Sequence, residues 1–234
     1  LSVAVEEVKD ETVQENNHRE LFTHIFDDRI GILLLAGGPH PDLGSIRRLL
    51  GRDEYVTVYS RTLRNKSGFY EGAWLSAEEL NDIDCAVFLD MPNRHIADDV
   101  WDKAAGWLSL KRIPFFIIAG QSLDPAKLRA LQTDMPFSFN DLQPVRQEAQ
   151  LSPSPAGKTH PVTAWESDPG GEEIRWTLLP PLQIHWYPAE VKSMASILAT
   201  ASLKGTGPGG SRIPVLLTYV SGDMKSLFLA GTGI

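Results

Sequence analysis

The stretch RIGILLLAGG, residues 29–38, constrains this chain more than any other. Every residue from Ile30 to Ala36 is apolar or glycine. Alternation of apolar and polar residues would mark a strand with one wet face. An unbroken run marks a strand covered on both faces, as in a parallel sheet. The run is far short of the roughly 20 residues a membrane span needs. Parallel neighbours require long crossovers, usually helical, and the following residues fit. PHPDLGSIRRLLGRD reads as a helix with Leu43, Ile46, Leu49 and Leu50 on one face and Gly51 placed to end it.

The alternation continues. EYVTVYSRTL reads as a second strand and RNKSGFYEGAW as a loop. SAEELNDI reads as a short helix, with Ser76 and Glu79 at capping-box spacing. DCAVFLDMP is a third strand. IADDVWDKAAGWLSLKR is a helix with a stripe of Val100, Trp101, Ala104, Trp107 and Leu108. IPFFIIAG is a fourth strand, and PAKLRALQ another short helix. Strands alternating with helices predict an α/β three-layer sandwich of flavodoxin-like or Rossmann-like type, with right-handed crossovers.

Beyond residue 135 the texture changes. PVRQEAQLSPSPAGKT reads as a Pro/Ser-rich loop. HPVTAW, PLQIHWY, SMASILATA, IPVLLTYVSG and KSLFLAG read as β-runs, and KGTGPGGSR as a flexible connection. YVSGDMKSLFLAG reads as a hairpin turning at Gly222 and Asp223. This β-rich extension is expected to add strands to the same sheet. Residues 1–29 differ from the rest. LSVAVEEV and RELFTHIFD read as two strands, the tail of a preceding β-sandwich module or an arm on the domain of residues 30–234. The chain starts with Leu and stops within an apolar run, so it reads as a segment of a longer protein.

Composition excludes some functions. The net charge of −8, with no basic cluster beyond Arg47-Arg48, argues against nucleic-acid partners. The single cysteine, Cys85, lies in a predicted strand and reads as a small hydrophobe. It permits neither an internal disulfide nor a cysteine zinc cluster. No histidine pair shows helical metal spacing, and no cofactor is expected. LAGGPHPDLGS lacks both G-x-G-x-x-G and G-K-[ST], and its prolines remove backbone donors a phosphate would need.

Ligands of such sheets bind beyond the carboxyl ends of the strands. The loops expected there hold Gly37, Gly38 and His40, then Asp90 and His95, then Gly120, Gln121 and Ser122. These are the candidate cleft residues; none is read as catalytic. IPFFIIAGQS has the strand–turn–helix form of a nucleophile elbow without its G-x-S-x-G. Ser122 either lies past the apex and caps the next helix, or acts as a nucleophile with a loop histidine such as His40 or His95. His185, in LQIHWYP, reads as structural.

In order along the chain, several segments resemble the class I glutamine amidotransferase-like domains of large bacterial membrane-anchored proteins that carry von Willebrand A-like domains. They are RIGILLLAGGPHPDLGSIRRLLGRDEYVTVYSRT, LSAEELNDIDCAVFLDMP, IPFFIIAG, the HPV of His160–Val162, the LPPL of Leu179–Leu182 and the late hairpin IPVLLTYVSGDMKSLFLAGTG. The N-terminal strand pair resembles the end of the immunoglobulin-like module preceding such domains. True amidotransferases place a cysteine at the elbow and a late His-x-Glu; here the elbow is Gly120-Gln121. The resemblance therefore implies a non-catalytic domain for protein interaction or ligand sensing, on the extracytoplasmic face of a membrane-anchored parent. Its partners would be other domains of the parent or envelope proteins. A hydrolase using Ser122, or a small-molecule binding module, is the alternative.

Overall fold

The computed structural model describes residues 2–4, 18–20, 29–163, 176, 178–203 and 212–233. Within the N-terminal arm, β1 (Ser2–Ala4) pairs antiparallel with β2 (His18–Glu20). The rest of the strands expected in LSVAVEEV and RELFTHIFD lies outside the described residues.

The apolar run is β3 (Ile30–Ala36), followed by α1 (Pro41–Leu50) and β4 (Val56–Thr62). Then come α2 (Ala77–Asn81), β5 (Cys85–Leu89), α3 (Asp98–Lys111) and β6 (Phe115–Ile118). The capping box of α2 forms as its spacing predicts, with Ser76 and Glu79 satisfying each other's backbone N–H groups. α3 ends where Arg112 turns left-handed at φ 56°. PAKLRALQ is a 3-10 segment, Pro125–Asp134, rather than an α-helix. Its Leu128 and Leu131 are buried, so packing against neighbours overrides the local preference for the wider helix.

The later chain holds β7 (Leu142–Ala149), β8 (Leu151–Pro153), α4 (Pro155–Thr159), β9 (Leu182–Pro188) and β10 (Ser196–Ser202). It closes with β11 (Arg212–Ser221), β12 (Met224–Leu229) and β13 (Gly231–Thr232). The hairpin between β11 and β12 turns at Gly222, whose φ of +60° suits glycine. Two expectations are corrected here. PVRQEAQLSPSPAGKT is two strands and a helix rather than a loop, because β7 and β8 are stabilised by pairing with strands distant in sequence. HPVTAW opens as a turn at residues 161–163 following α4, not as a strand; the remainder of that segment and most of KGTGPGGSR lie outside the described residues.

Eight strands form one sheet in the order β4-β3-β5-β6-β12-β11-β10-β8. The first five are mutually parallel, and the last three join antiparallel. By chain order the parallel set runs second, first, third, fourth, fifth, the flavodoxin-like arrangement. The β-rich extension does add β8, β10, β11 and β12 to this sheet. It also makes a separate three-stranded sheet, β13-β9-β7, which the expectation of a single sheet omitted.

Successive residues of the central strands serve opposite faces. Leu33, Leu35, Phe88 and Ile117 join the main core with Trp101, Ala104, Ala105 and Leu108 of α3. The Trp101 ring meets Phe88 edge-on at 5.6 Å, and its indole N–H donates to the Lys127 carbonyl at 2.8 Å. Leu34, Ala36, Leu89 and Ile118 face the other way and pack with Leu43 of α1. Among the described residues that second face is only partly covered. Beyond α1, Cys85, Val87, Phe116, Leu227 and Val220 line an open apolar hollow of about 600 Å³. Cys85 is a half-buried free thiol, and burial pushes its pKa up, as for a small hydrophobe. Among the described residues no helix is long and apolar enough to cross a membrane.

Candidate functional site

Because the strands are parallel, the loops after β3, β5 and β6 leave the sheet at one edge. The chain order reverses between β3 and β5, which opens a crevice at their carboxyl ends. There the Gly37 N–H donates to the Leu89 carbonyl at 2.8 Å, and the Asn93 amide donates to the Gly37 carbonyl at 2.9 Å. Asn93 is 1% exposed, and its Oδ1 accepts from the backbone of His95 and Ile96. One buried amide thus ties the first loop to the second.

A cavity of about 430 Å³ occupies this edge, a size suited to a small molecule. His40, Asp90, Gly120, Gln121 and Ser122 all line it. Gly37 lies just behind, where an added Cβ would fall 2.3 Å from the Asp90 carbonyl oxygen. Gly38 has open space around it, and His95 is exposed and does not line the cavity. His40 caps α1: its Nδ1 accepts from the Asp42 N–H at 3.1 Å. In the neutral ring this places the proton on Nε2 as a donor.

The turn after β6 is shaped around Asp90. A Cβ on Gly120 would lie 2.4 Å from the Asp90 carboxyl carbon, so only glycine fits there. The Ser122 N–H donates to Asp90 Oδ1 at 2.9 Å. No hydrogen bond joins Ser122 to a histidine among the described residues. Asp90 has φ of +51°, a left-handed conformation that costs roughly 1–2 kcal/mol for most residues and is best tolerated by Asn and Asp. Burial raises the Asp90 pKa, opposed by the Ser122 and Leu123 hydrogen bonds and by His40.

The other wall comes from the three-stranded sheet. β13 follows β12 to the same edge and pairs with β9, which sets Thr232 opposite Gln183. Gln183, His185, Thr232 and Gly233 complete the cavity. The Gly233 N–H donates to Asp42 Oδ2 at 2.8 Å, and the Trp186 indole N–H donates to the Gly120 carbonyl at 3.2 Å. These two bonds clamp the small sheet to α1 and to the β6 turn. His185 Nε2 shares a 3.1 Å hydrogen bond with the Thr232 hydroxyl, while its Nδ1 is buried with no partner among the described residues. Burial lowers the His185 pKa, helped by the charge of Arg146 and by His40. Whichever tautomer it takes, the other ring nitrogen wants a partner.

Sequence reasoning missed Gln183, His185 as a cavity residue, Thr232 and Gly233. For the first two a signal existed. In LQIH, Leu182 and Ile184 are buried while Gln183 and His185 share the other face, the pattern of a strand with one functional side. Thr232 and Gly233 carry no such signal. Among the described residues no cluster of His, Cys, Asp and Glu has the geometry of a metal site.

No family model matches the sequence, and no curated protein matches it. Solved structures do. A ThuA-like protein from Bacteroides uniformis ATCC 8492 superposes over 92% of this chain and 86% of its own, with TM-score 0.50 and 11% identity. Agd3, described as a novel carbohydrate deacetylase, aligns over 87% of this chain and 29% of its own, with TM-score 0.49 and 11% identity. The first likeness establishes the fold: a mixed α/β domain of the ThuA-like, class I glutamine amidotransferase-like type.

Proposed function

We propose that this domain is a non-catalytic, ligand-sensing member of the amidotransferase-like fold, and that the cavity at the β3–β5 crevice holds a small polar molecule. The observation that carries this reading is the β6 turn. It has no cysteine, and its serine is tied through the backbone N–H to Asp90 Oδ1 at 2.9 Å. Polar groups converge on the cavity from three loops and a second sheet. A ligand that hydrogen-bonds such groups gains what water in a cleft would otherwise supply.

A thermal-shift screen over polar metabolites tests this reading. A ligand binding only the folded state raises stability by RT ln(1 + [L]/Kd), about 2.7 kcal/mol at a hundredfold excess over Kd. A stabilising compound whose effect disappears in Asp90→Asn or Gln121→Ala supports the reading. Glutaminase or esterase turnover that Ser122→Ala abolishes would sink it.

One observation favours hydrolysis as a second reading. The strained residue of the cleft is Asp90, an ionisable group bonded to the backbone of a serine, and strain of this kind clusters at functional sites. Turnover lost in both Asp90→Asn and Ser122→Ala would install it.

The proposal extends to the wider protein. Residues 1–29 are the tail of a preceding module, and residues 30–234 form a three-layer domain with α1 and α3 on opposite faces of the sheet. The domain works on the extracytoplasmic face of a membrane-anchored parent and contacts that parent's other domains. This part rests on the sequence resemblance, and fractionation of cells expressing the tagged parent tests it.

A further inference from the structure

The Asp90 cavity has a neighbour at His185. A second hollow of about 410 Å³ begins there, lined by Gln121 and His185 on the shared side and by Arg94, Asp124, Arg146 and Trp186 beyond. The two hollows adjoin, sharing Gln121 and His185, and differ in what they present. One presents Asp90, His40 and Thr232, while the other presents two guanidinium groups.

Both arginines are held by specific backbone geometry. In the β7–β9 ladder Pro144 pairs with Trp186 and Gln147 with Ile184. Val145 and Arg146 together therefore oppose the single residue His185, a β-bulge. Bulges redirect side chains and are common beside functional sites. This one sits opposite the cleft histidine, and Arg146 is close enough to bear on its charge. Arg94 is placed by a bridge between Asn93 and Leu123 and by its own N–H donating to the Ser122 carbonyl at 3.2 Å. Neither arginine makes an ion pair among the described residues. Asp124, the one acid in this hollow, uses Oδ1 to accept from Ala126 and cap the 3-10 segment. Trp186 lines the same hollow, its ring fixed through the bond to Gly120. Two unpaired guanidiniums beside a fixed aromatic wall are suited to a carboxylate or phosphate group.

We propose that the arginine hollow is an anion subsite, so that the cleft takes a small hydroxylated organic anion, its charged group between Arg94 and Arg146 and its hydroxyls toward Asp90 and His40. This rests on the reading of the cleft as a ligand site.

Titration calorimetry at fixed, low ionic strength tests it with glycerate, malate, citrate and glycerol 3-phosphate, against glycerol as the uncharged control. At least one of the anions is expected to bind tenfold or more tightly than glycerol. Arg146→Ala and Arg94→Ala should each weaken that anion about tenfold or more while leaving the melting temperature unchanged, since both side chains are exposed. Preference for glycerate or for glycerol 3-phosphate separates carboxylate from phosphate recognition. Equal binding of glycerol and the anions, or anion binding indifferent to both arginine variants, overturns the subsite. If that arginine-independent binding is still lost in Asp90→Asn, the cleft stands as a ligand site without the subsite. Absence of binding by every probe, together with a silent metabolite screen, overturns both.

Discussion

The two halves of this chain build one site by different means. The first half, β3 to β6, is parallel and repetitive, and it offers loops: Gly37–His40, Asp90–Asn93 and Gly120–Ser122. The second half is antiparallel and irregular. It sends β12 to extend the same sheet, then uses β13 and β9 to stand a second small sheet over those loops. The first half thus makes a crevice any sheet of this order would have. The second decides its shape, through Trp186 on the Gly120 carbonyl, Gly233 on Asp42 and His185 against Thr232. A scaffold is general, and what is folded over it is particular.

The comparison breaks if the halves are separate cooperative units. Phe88 in the first half and Phe228 in the second are both fully buried, and Phe228 packs edge-on to Phe137 at 4.6 Å. Truncating either to alanine should cost about 3–5 kcal/mol. If the halves fold together, urea unfolding of both variants shows one transition shifted similarly, with the slope unchanged. Two transitions in either variant would divide the molecule.

Gly231→Ala is the next largest effect. Its Cβ would lie 2.1 Å from the Gln183 carbonyl oxygen, so the small sheet must shift, at about 1–3 kcal/mol. Gly38→Ala, at a position with open space in the loop below, should change stability by less than about 0.5 kcal/mol. The same unfolding assay compares them; equal effects would mean that the small sheet is loosely docked. Trp186→Phe then removes one hydrogen bond between the halves, worth about 1 kcal/mol. Added limited proteolysis should show faster cleavage near β9 than near β4.

The smallest effect is a pH dependence inside the crevice. The Asp90 pKa is raised on folding, so its contribution to stability is full below the unfolded value and is lost as pH rises through the folded one. Asp90→Asn keeps an acceptor for Ser122 and tolerates the positive φ. The variant should gain on wild type as pH rises from acid to neutral, with no gain at the acid end. His185, whose pKa is lowered, acts oppositely: its contribution is full above its unfolded value and is lost as pH falls through the folded one. Chemical denaturation of His185→Gln across the same range should show less acid loss than wild type.

The parallel half was legible because both faces of its strands are buried, which leaves unbroken apolar runs such as Ile30–Ala36 and Phe115–Ile118. Capping at Ser76 and Glu79 and the turn at Gly222 were legible because they are local. β7 was not. Its sequence LQPVRQEA is half-exposed and carries proline and charge, so only its partner β9 makes it a strand. The same holds for the 3-10 segment, whose backbone follows the packing of Leu128 and Leu131. Of the site, the loop residues could be named from strand order alone, and the structure brings His40, Asp90, Gly120, Gln121 and Ser122 into one cavity while leaving His95 outside it.

From its sequence alone this chain determined a parallel sheet, the edge where the cavity opens and an elbow without a cysteine. These depend on hydrophobic period and on residue identity, which are written locally. The tertiary structure alone decided that the Ser122 N–H meets Asp90, that a bulge sets Arg146 beside His185, and that Thr232 closes the cleft. Those relations join residues far apart in the chain, through pairing registers and close backbone approaches that only the folded molecule selects.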